Sequence, residues 1–152
     1  MKLCDDKTIA CLIIIFSVFI GCVSTKKITK TEVVTLVKSD KSWDGMQLPK
    51  YATGNPEITI LKITIPSKTK LKWHKHPYIN AGVLLKGKLT VVSENKDTLY
   101  LKANDPIVEV VNTWHYGVNE GKEPAEIIVF YAGVKEKPIT VLDEVKPKET
   151  AH

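Results

Sequence analysis

Arginine is absent from this sequence, so all 22 of its basic side chains are lysines. Readers of phosphates and base edges rely on the planar, bidentate guanidinium fork, which an ammonium does not reproduce. The lysines are also scattered among 17 acidic residues, leaving a formal charge of +5 over 152 residues. That pattern describes a solvated surface and speaks against a nucleic-acid partner. Cysteine is confined to Cys4, Cys11 and Cys22. From Val23 onward there is no thiol, so the domain uses no disulfide and offers a metal no thiolate. Helical periodicity and internal repeats are missing as well. No helix-turn-helix is attached, which argues against a ligand-sensing transcription factor.

No apolar run reaches the ~20 residues that span a bilayer. The longest, Ile9–Ile20, follows Met1-Lys2 and has the length of a secretory signal core. It ends in Phe19-Ile20-Gly21-Cys22, which resembles the lipobox of bacterial lipoproteins: a small residue, then the cysteine that receives lipid. The resemblance implies a signal peptide over residues 1–21, lipid attachment at Cys22 and a membrane anchor. It places the protein in the bacterial cell envelope, on the periplasmic side or at the outer membrane. Phe19 stands where leucine is usual, and Asp5-Asp6 interrupt a leader that is ordinarily basic. Cys4 and Cys11 are then small apolar residues of the signal.

What the chain does contain is β-forming sequence. Valine, isoleucine and threonine abound, punctuated by eight prolines and eight glycines. Residues 22–54 read as a tether with a lead-in strand at Glu32–Lys38, followed by a loop carrying Trp43. From Glu57 onward, short strands alternate with turn signals. Ile58, Ile60 and Lys62 share one face and Leu61, Ile63 and Ile65 the other, until Pro66-Ser67 stops the run. Further strands are predicted at Leu71–His76, Ile79–Lys86, Leu89–Glu94, Thr98–Lys102, Ile107–Val111, His115–Val118, Ala125–Ala132 and Ile139–Leu142. Asn95-Lys96-Asp97 and Gly121-Lys122-Glu123-Pro124 read as hairpin connections. Roughly ten-residue spacing argues an all-β, antiparallel, single-domain sandwich or barrel over residues 55–142, with a charged tail at 143–152.

The chemistry centres on Trp73-His74-Lys75-His76-Pro77. Histidines at i and i+2 of an extended strand point to one face, and Pro77 disfavours helix at His76. Two imidazoles are half a metal site, and His115, in Thr113-Trp114-His115-Tyr116-Gly117, is the third candidate.

The two stretches resemble the paired motifs of the cupin superfamily, G-x5-H-x-H-x3,4-E-x6-G and G-x5-P-x-G-x2-H-x3-N. His74, His76 and Gly87 match the first, with Asn80 at the glutamate position and Lys68 at the leading glycine. His115 and Asn119 match the second, with Asn104 and Asn112 at its glycines and Val110 at its proline. Asparagine is the best substitute for glycine at positive φ, so both asparagines still read as tight turns, while Lys68 is the harder departure. The resemblance implies an antiparallel jelly-roll β-barrel and one divalent metal held by His74, His76 and His115, with Asn80 a candidate fourth ligand.

Three neutral imidazoles and an amide leave the ion its full charge and open positions. That donor set fits zinc with a water and non-haem iron; Fe(II) or Zn is favoured, with Ni or Mn as alternatives. Binding requires neutral imidazoles, so affinity should fall as pH drops through about 6.5. Glu109 is the candidate catalytic acid–base, or a replacement ligand. Tyr78 shares the parity of the ligands and is a candidate pocket residue. Trp73, Trp114 and Tyr116 have the opposite parity and point away, and Leu84 and Val83 read as core. Two functions stay open: a metal-dependent small-molecule enzyme, dioxygenase-like or isomerase-like, and a non-catalytic small-ligand-binding module. A homodimer is expected, because the lead-in strand can cover an exposed sheet edge of a second copy.

Overall fold

The computed structural model describes residues 29–143; the apolar leader, Cys22 and His152 lie outside the described residues. The chain divides into two units between Val33 and Val34, and every element below belongs to the unit that begins at Val34.

Ten strands run in chain order: β1 (Pro56–Ile65), β2 (Thr69–Lys70), β3 (His74–Lys75), β4 (Asn80–Lys86), β5 (Lys88–Ser93), β6 (Thr98–Lys102), β7 (Pro106–Val108), β8 (His115–Asn119), β9 (Ala125–Val134) and β10 (Val141–Leu142). They form two sheets, one ordered β1-β9-β4-β7 and the other β10-β3-β8-β5-β6 with β2 added on β8. Every pairing is antiparallel, as the expected jelly roll requires. The inner faces of both sheets supply one core, in which Ile65, Leu84, Leu89, Val91, Ile107 and Val129 are buried. β1 shows how alternation builds it. Ile63 and Ile65 turn inward, while Ile58 and Ile60 on the other parity are 66% and 53% exposed. The strand ends where Pro66 would have no N–H to give the ladder.

The turns confirm the reading of the departed glycines. Lys68, Asn104 and Asn112 all adopt positive φ, at 56°, 74° and 58°, beside Gly87 at 79°. Lys68 therefore holds a left-handed conformation that costs a lysine roughly 1–2 kcal/mol, and its ammonium is tied to the Glu120 carbonyl. Gly82 answers a different demand. A Cβ there would lie 2.6 Å from the Ile128 carbonyl oxygen, so β4 approaches β9 too closely for any side chain. Asn119, the motif asparagine, is a structural staple. Fully buried, it donates to the carbonyls of Ile65, Pro66 and Glu123 and accepts from the Gly121 N–H.

Four expectations need correction. Glu32–Lys38 forms no strand within this chain; its partner edge is not supplied by its own sheets. Gly121–Pro124 is no hairpin, because β8 and β9 belong to different sheets and the turn carries the chain across. Val83 is not core: it lies with Ala81 and Pro106 along an outer groove, opposite in parity to the buried Leu84. Finally, the strand predicted at Leu71–His76 is broken. Lys70 pairs Val118 and His74 pairs His115, so four steps on one strand oppose three on the other. One extra residue on one side of a ladder is a β-bulge. Within the bulge the Leu71 N–H reaches the Gly117 carbonyl, and the Trp73 carbonyl accepts from the Asp143 N–H on the other side.

Candidate metal centre

The bulge sets the site. It releases Lys72 from the ladder so that the Lys72 carbonyl, two residues back in the chain, receives His74 Nδ1 at 2.8 Å. The same local arrangement recurs on β8, where the Thr113 carbonyl receives His115 Nδ1 at 2.9 Å. His76 Nδ1 is held from far away, 3.0 Å from the Ile139 carbonyl, with Thr140 Oγ1 at 3.2 Å. A carbonyl oxygen only accepts, so each Nδ1 carries the proton and each Nε2 presents a bare lone pair. His74 and His115 face each other across the ladder, and one ligating nitrogen from each of the three rings lies within 4.8 Å of the others.

Burial keeps these rings neutral. It lowers the affinity of His74 for a proton, and the neighbouring His115 lowers it further; the Lys72 carbonyl and Glu109 pull partly back. His76 is pushed down to about 3 by burial and then by the charge a proton would meet from His115 and His74. His115 is lowered by burial against a small opposing pull from the Thr113 carbonyl. The fall of metal affinity expected near pH 6.5 therefore moves to lower pH, because buried imidazoles stay unprotonated below their ordinary range.

Glu109 reaches the site from the segment after β7, and Asn80 opens β4. Asn80 is buried, its Nδ2 donates to the Tyr78 carbonyl, and its Oδ1 has no hydrogen-bond partner. An orphaned buried oxygen beside three bare nitrogens is a donor set that a hard or borderline divalent cation would complete. Glu109 is buried with Oε2 3.4 Å from His115 Nε2. Burial pushes its carboxyl up to about 7, against smaller opposing effects of His74, the Val110 N–H and Trp43. Facing a bare Nε2, a protonated Oε2 is the group able to donate.

These groups line a cavity of about 340 Å3 running through the barrel. Its walls are apolar: Ile63, Ile65, Leu89, Val91, Ile127 and Val129 among them. Leu61 and Leu142, with the exposed Lys72, are the solvent-facing lining residues and mark its mouth.

The three histidines, Asn80 and Glu109 all line this chamber. Tyr78 does not reach it and lines a small crevice with Pro49 and Lys50 instead. Trp43 packs against the core, its backbone N–H bonded to the Val108 carbonyl. Trp73 and Tyr116 stack edge to face, Lys70 lies over Tyr116, and Lys75 lies over Trp114. Sequence reading missed Ile139, Thr140 and Tyr131. Tyr131 stands 5.3 Å from the His76 ring, its hydroxyl pushed up to about 12 by burial and by Glu109. No local pattern marks these three residues: Ile139 and Thr140 reach His76 because β10 closes on β3, and Tyr131 because β9 sets it opposite Asn80.

Residues 61–131 match a family model described as "Cupin domain". The fold resembles that of the DMSP lyase DddQ from Ruegeria pomeroyi DSS-3, at a TM-score of 0.53 and 18% identity over 60% of this chain and 45% of that one. It also resembles a chain described with the DMSP lyases RdDddP and RnDddQII, at a TM-score of 0.50 and 14% identity over 57% of this chain and 44% of that one. The match thus spans less than half of either lyase chain. At these identities the likeness is one of fold. No curated protein matches the chain.

The buried ionisable groups give metal-free protein a pH signature of two opposite slopes. His76 falls from 6.5 in the unfolded chain to about 3 when folded, so its stabilising contribution is full above 6.5 and is lost as pH falls toward 3. Glu109 rises from 4.5 to about 7, so its contribution is full below 4.5 and is lost as pH climbs through 7. Each proton is worth about 1.4 kcal/mol per pH unit. Urea unfolding of the metal-stripped chain from pH 4 to 9 should show Glu109→Gln more stable than wild type at pH 8 by ~3 kcal/mol. The acid limb should be unchanged. Parallel curves for the two proteins would mean that Glu109 is not held in a protonation-sensitive environment.

Proposed function

We propose, from the match of residues 61–131 to the cupin family model, that the chain is a metal-dependent enzyme acting on a small molecule inside the barrel, with His74, His76 and His115 as the metal ligands. The observation that carries this reading is the convergence of three bare Nε2 atoms on an apolar cavity beside a carboxyl that burial brings to about 7. A bound divalent ion, Fe(II) or Zn in preference to Ni or Mn, would supply Lewis-acid or oxygen-binding chemistry at undiminished charge.

The chain's own residues divide the remaining work. The carbonyls of Lys72, Ile139 and Thr113 orient the rings and fix their tautomers. Asn80 Oδ1 serves as a fourth donor or meets a donor on the substrate. Glu109 Oε2 is the group that takes or gives a proton, its carboxyl being pushed up to about 7 by burial in the metal-free chamber. The aliphatic walls exclude water, which strengthens every polar contact at the metal end. A dioxygenase-type oxidoreductase is favoured over an isomerase, since a metal with open coordination positions suits oxygen chemistry, while Glu109 is the single carboxyl among the described lining residues. That same scarcity supports the second reading, a non-catalytic small-ligand-binding module of the envelope. Oxygen uptake by iron-loaded protein across a substrate panel separates them: consumption supports the enzyme, and tight ligand binding without turnover supports the module.

The ligand assignment is tested by metal content. Purified wild type should carry about one divalent ion per chain, and His74→Ala, His76→Ala and His115→Ala should each lower affinity at least a hundredfold while circular dichroism stays unchanged. Full retention of metal in the three variants would overturn it.

A second copy is the proposed partner on the outer face of the β1-β9-β4-β7 sheet, where Ile58, Ile60 and Phe130 are exposed next to an apolar groove along Leu36 and Val37. Sedimentation of the chain begun at Ser24 should give twice the monomer mass, and a monomer at tens of micromolar would contradict a dimer. Anchoring to the envelope membrane through lipid on Cys22 is read from the leader. Palmitate labelling should appear in wild type and vanish in Cys22→Ala; equal labelling, or none in either, would refute it.

A further inference from the structure

The polar groups of the chamber are segregated. The three histidines, Asn80, Glu109 and Tyr131 meet around the metal end, and the walls beyond them are aliphatic. Among the described lining residues Lys72 is the one cation, and it is exposed at the mouth. Nothing in the walls can neutralise a buried anion, and the acid already inside would repel one. An ionised group without a partner is strongly disfavoured in such surroundings.

From this segregation we infer the substrate class, an inference that rests on the metal-site reading above: a small molecule with an aliphatic or aromatic body and a single chelating polar head. Its head occupies the metal end, where Asn80 Oδ1 is a buried acceptor without a hydrogen-bond partner. Its body lies against Ile63, Leu89, Val91, Ile127 and Val129. Both Leu61 at 37% exposure and Leu142 at 55% offer an apolar threshold to it. Molecules with a second charge beyond reach of the metal, such as the longer dicarboxylate adipate, are excluded, because that charge would lie unpaired among aliphatic side chains.

Calorimetry on the full chain loaded with cobalt(II) tests the inference with alkyl hydroxamates of two, four and six carbons, and with hexanoate and adipate. Affinity should rise about fourfold per added methylene, the transfer free energy of one such group, and adipate should bind more weakly than hexanoate. Val129→Thr, which keeps the wall's shape and adds a hydroxyl, should flatten the rise. A series with no dependence on chain length, or adipate binding as tightly as hexanoate, overturns the proposal. Hexanamide on metal-stripped protein reads the chamber alone: a thermal shift that exceeds the one given by acetamide supports it, and equal shifts overturn it. Failure to take up cobalt with the hexanamide shift intact would instead remove the metal-site reading and leave the apolar chamber standing.

Discussion

Three backbone carbonyls govern this protein's candidate chemistry. An imidazole offers two nitrogens, and only a fixed proton on one makes the other a dependable ligand. Here Lys72, Thr113 and Ile139 accept from the three Nδ1 atoms, so tautomer and ring orientation follow from main-chain positions. Two of these carbonyls are local, each two residues before the histidine it serves. The third comes from 63 residues further along the chain, which makes the His76 geometry depend on β10 pairing with β3. Backbone support of this kind tolerates substitution of the side chains that carry it, because Lys72 and Ile139 contribute through their C=O groups.

The bulge between Lys70 and His74 is the sheet's contribution to the same end. An uninterrupted ladder from Thr69 to His76 would spend the Lys72 carbonyl on inter-strand bonding or aim it along the sheet. One inserted residue frees it and sets His74 opposite His115. Bulges beside functional sites re-aim side chains in this manner, and the cost is a local loss of ladder bonds at the barrel wall.

Much of this was legible in the sequence because it is written in local rules. Parity placed Leu61, Ile63 and Ile65 inside, Pro66 ended β1, and the left-handed turns at Asn104 and Asn112 followed from what asparagine tolerates. The histidine trio was legible through spacing and through resemblance, as was Asn80 at a glutamate position. What stayed hidden is what long-range pairing decides. The bulge has no composition cue, since Leu71-Lys72-Trp73 reads as ordinary strand. Thr140 comes to His76 only when the last strand closes on β3, and Tyr131 only when the two sheets pack face to face. Glu32–Lys38 has the composition of a strand, yet a strand exists only where an edge is available to pair with it.

The pairing of Asn80 with Glu109 has a physical logic of its own. The Glu109 N–H donates to the Asn80 carbonyl at 3.0 Å, so the two residues enter the chamber from adjoining backbone. Two carboxylates so close, both buried, could not both ionise near neutrality; one would keep its proton and lose its value as a ligand. An amide at position 80 removes that competition. It leaves one carboxyl in the chamber, brought by burial to about 7, where a small change in its surroundings decides whether it holds a proton. The departure from the usual motif therefore changes the kind of site this is. In the proposed function, a neutral three-nitrogen centre beside a single poised acid would separate the task of holding a metal from the task of moving a proton.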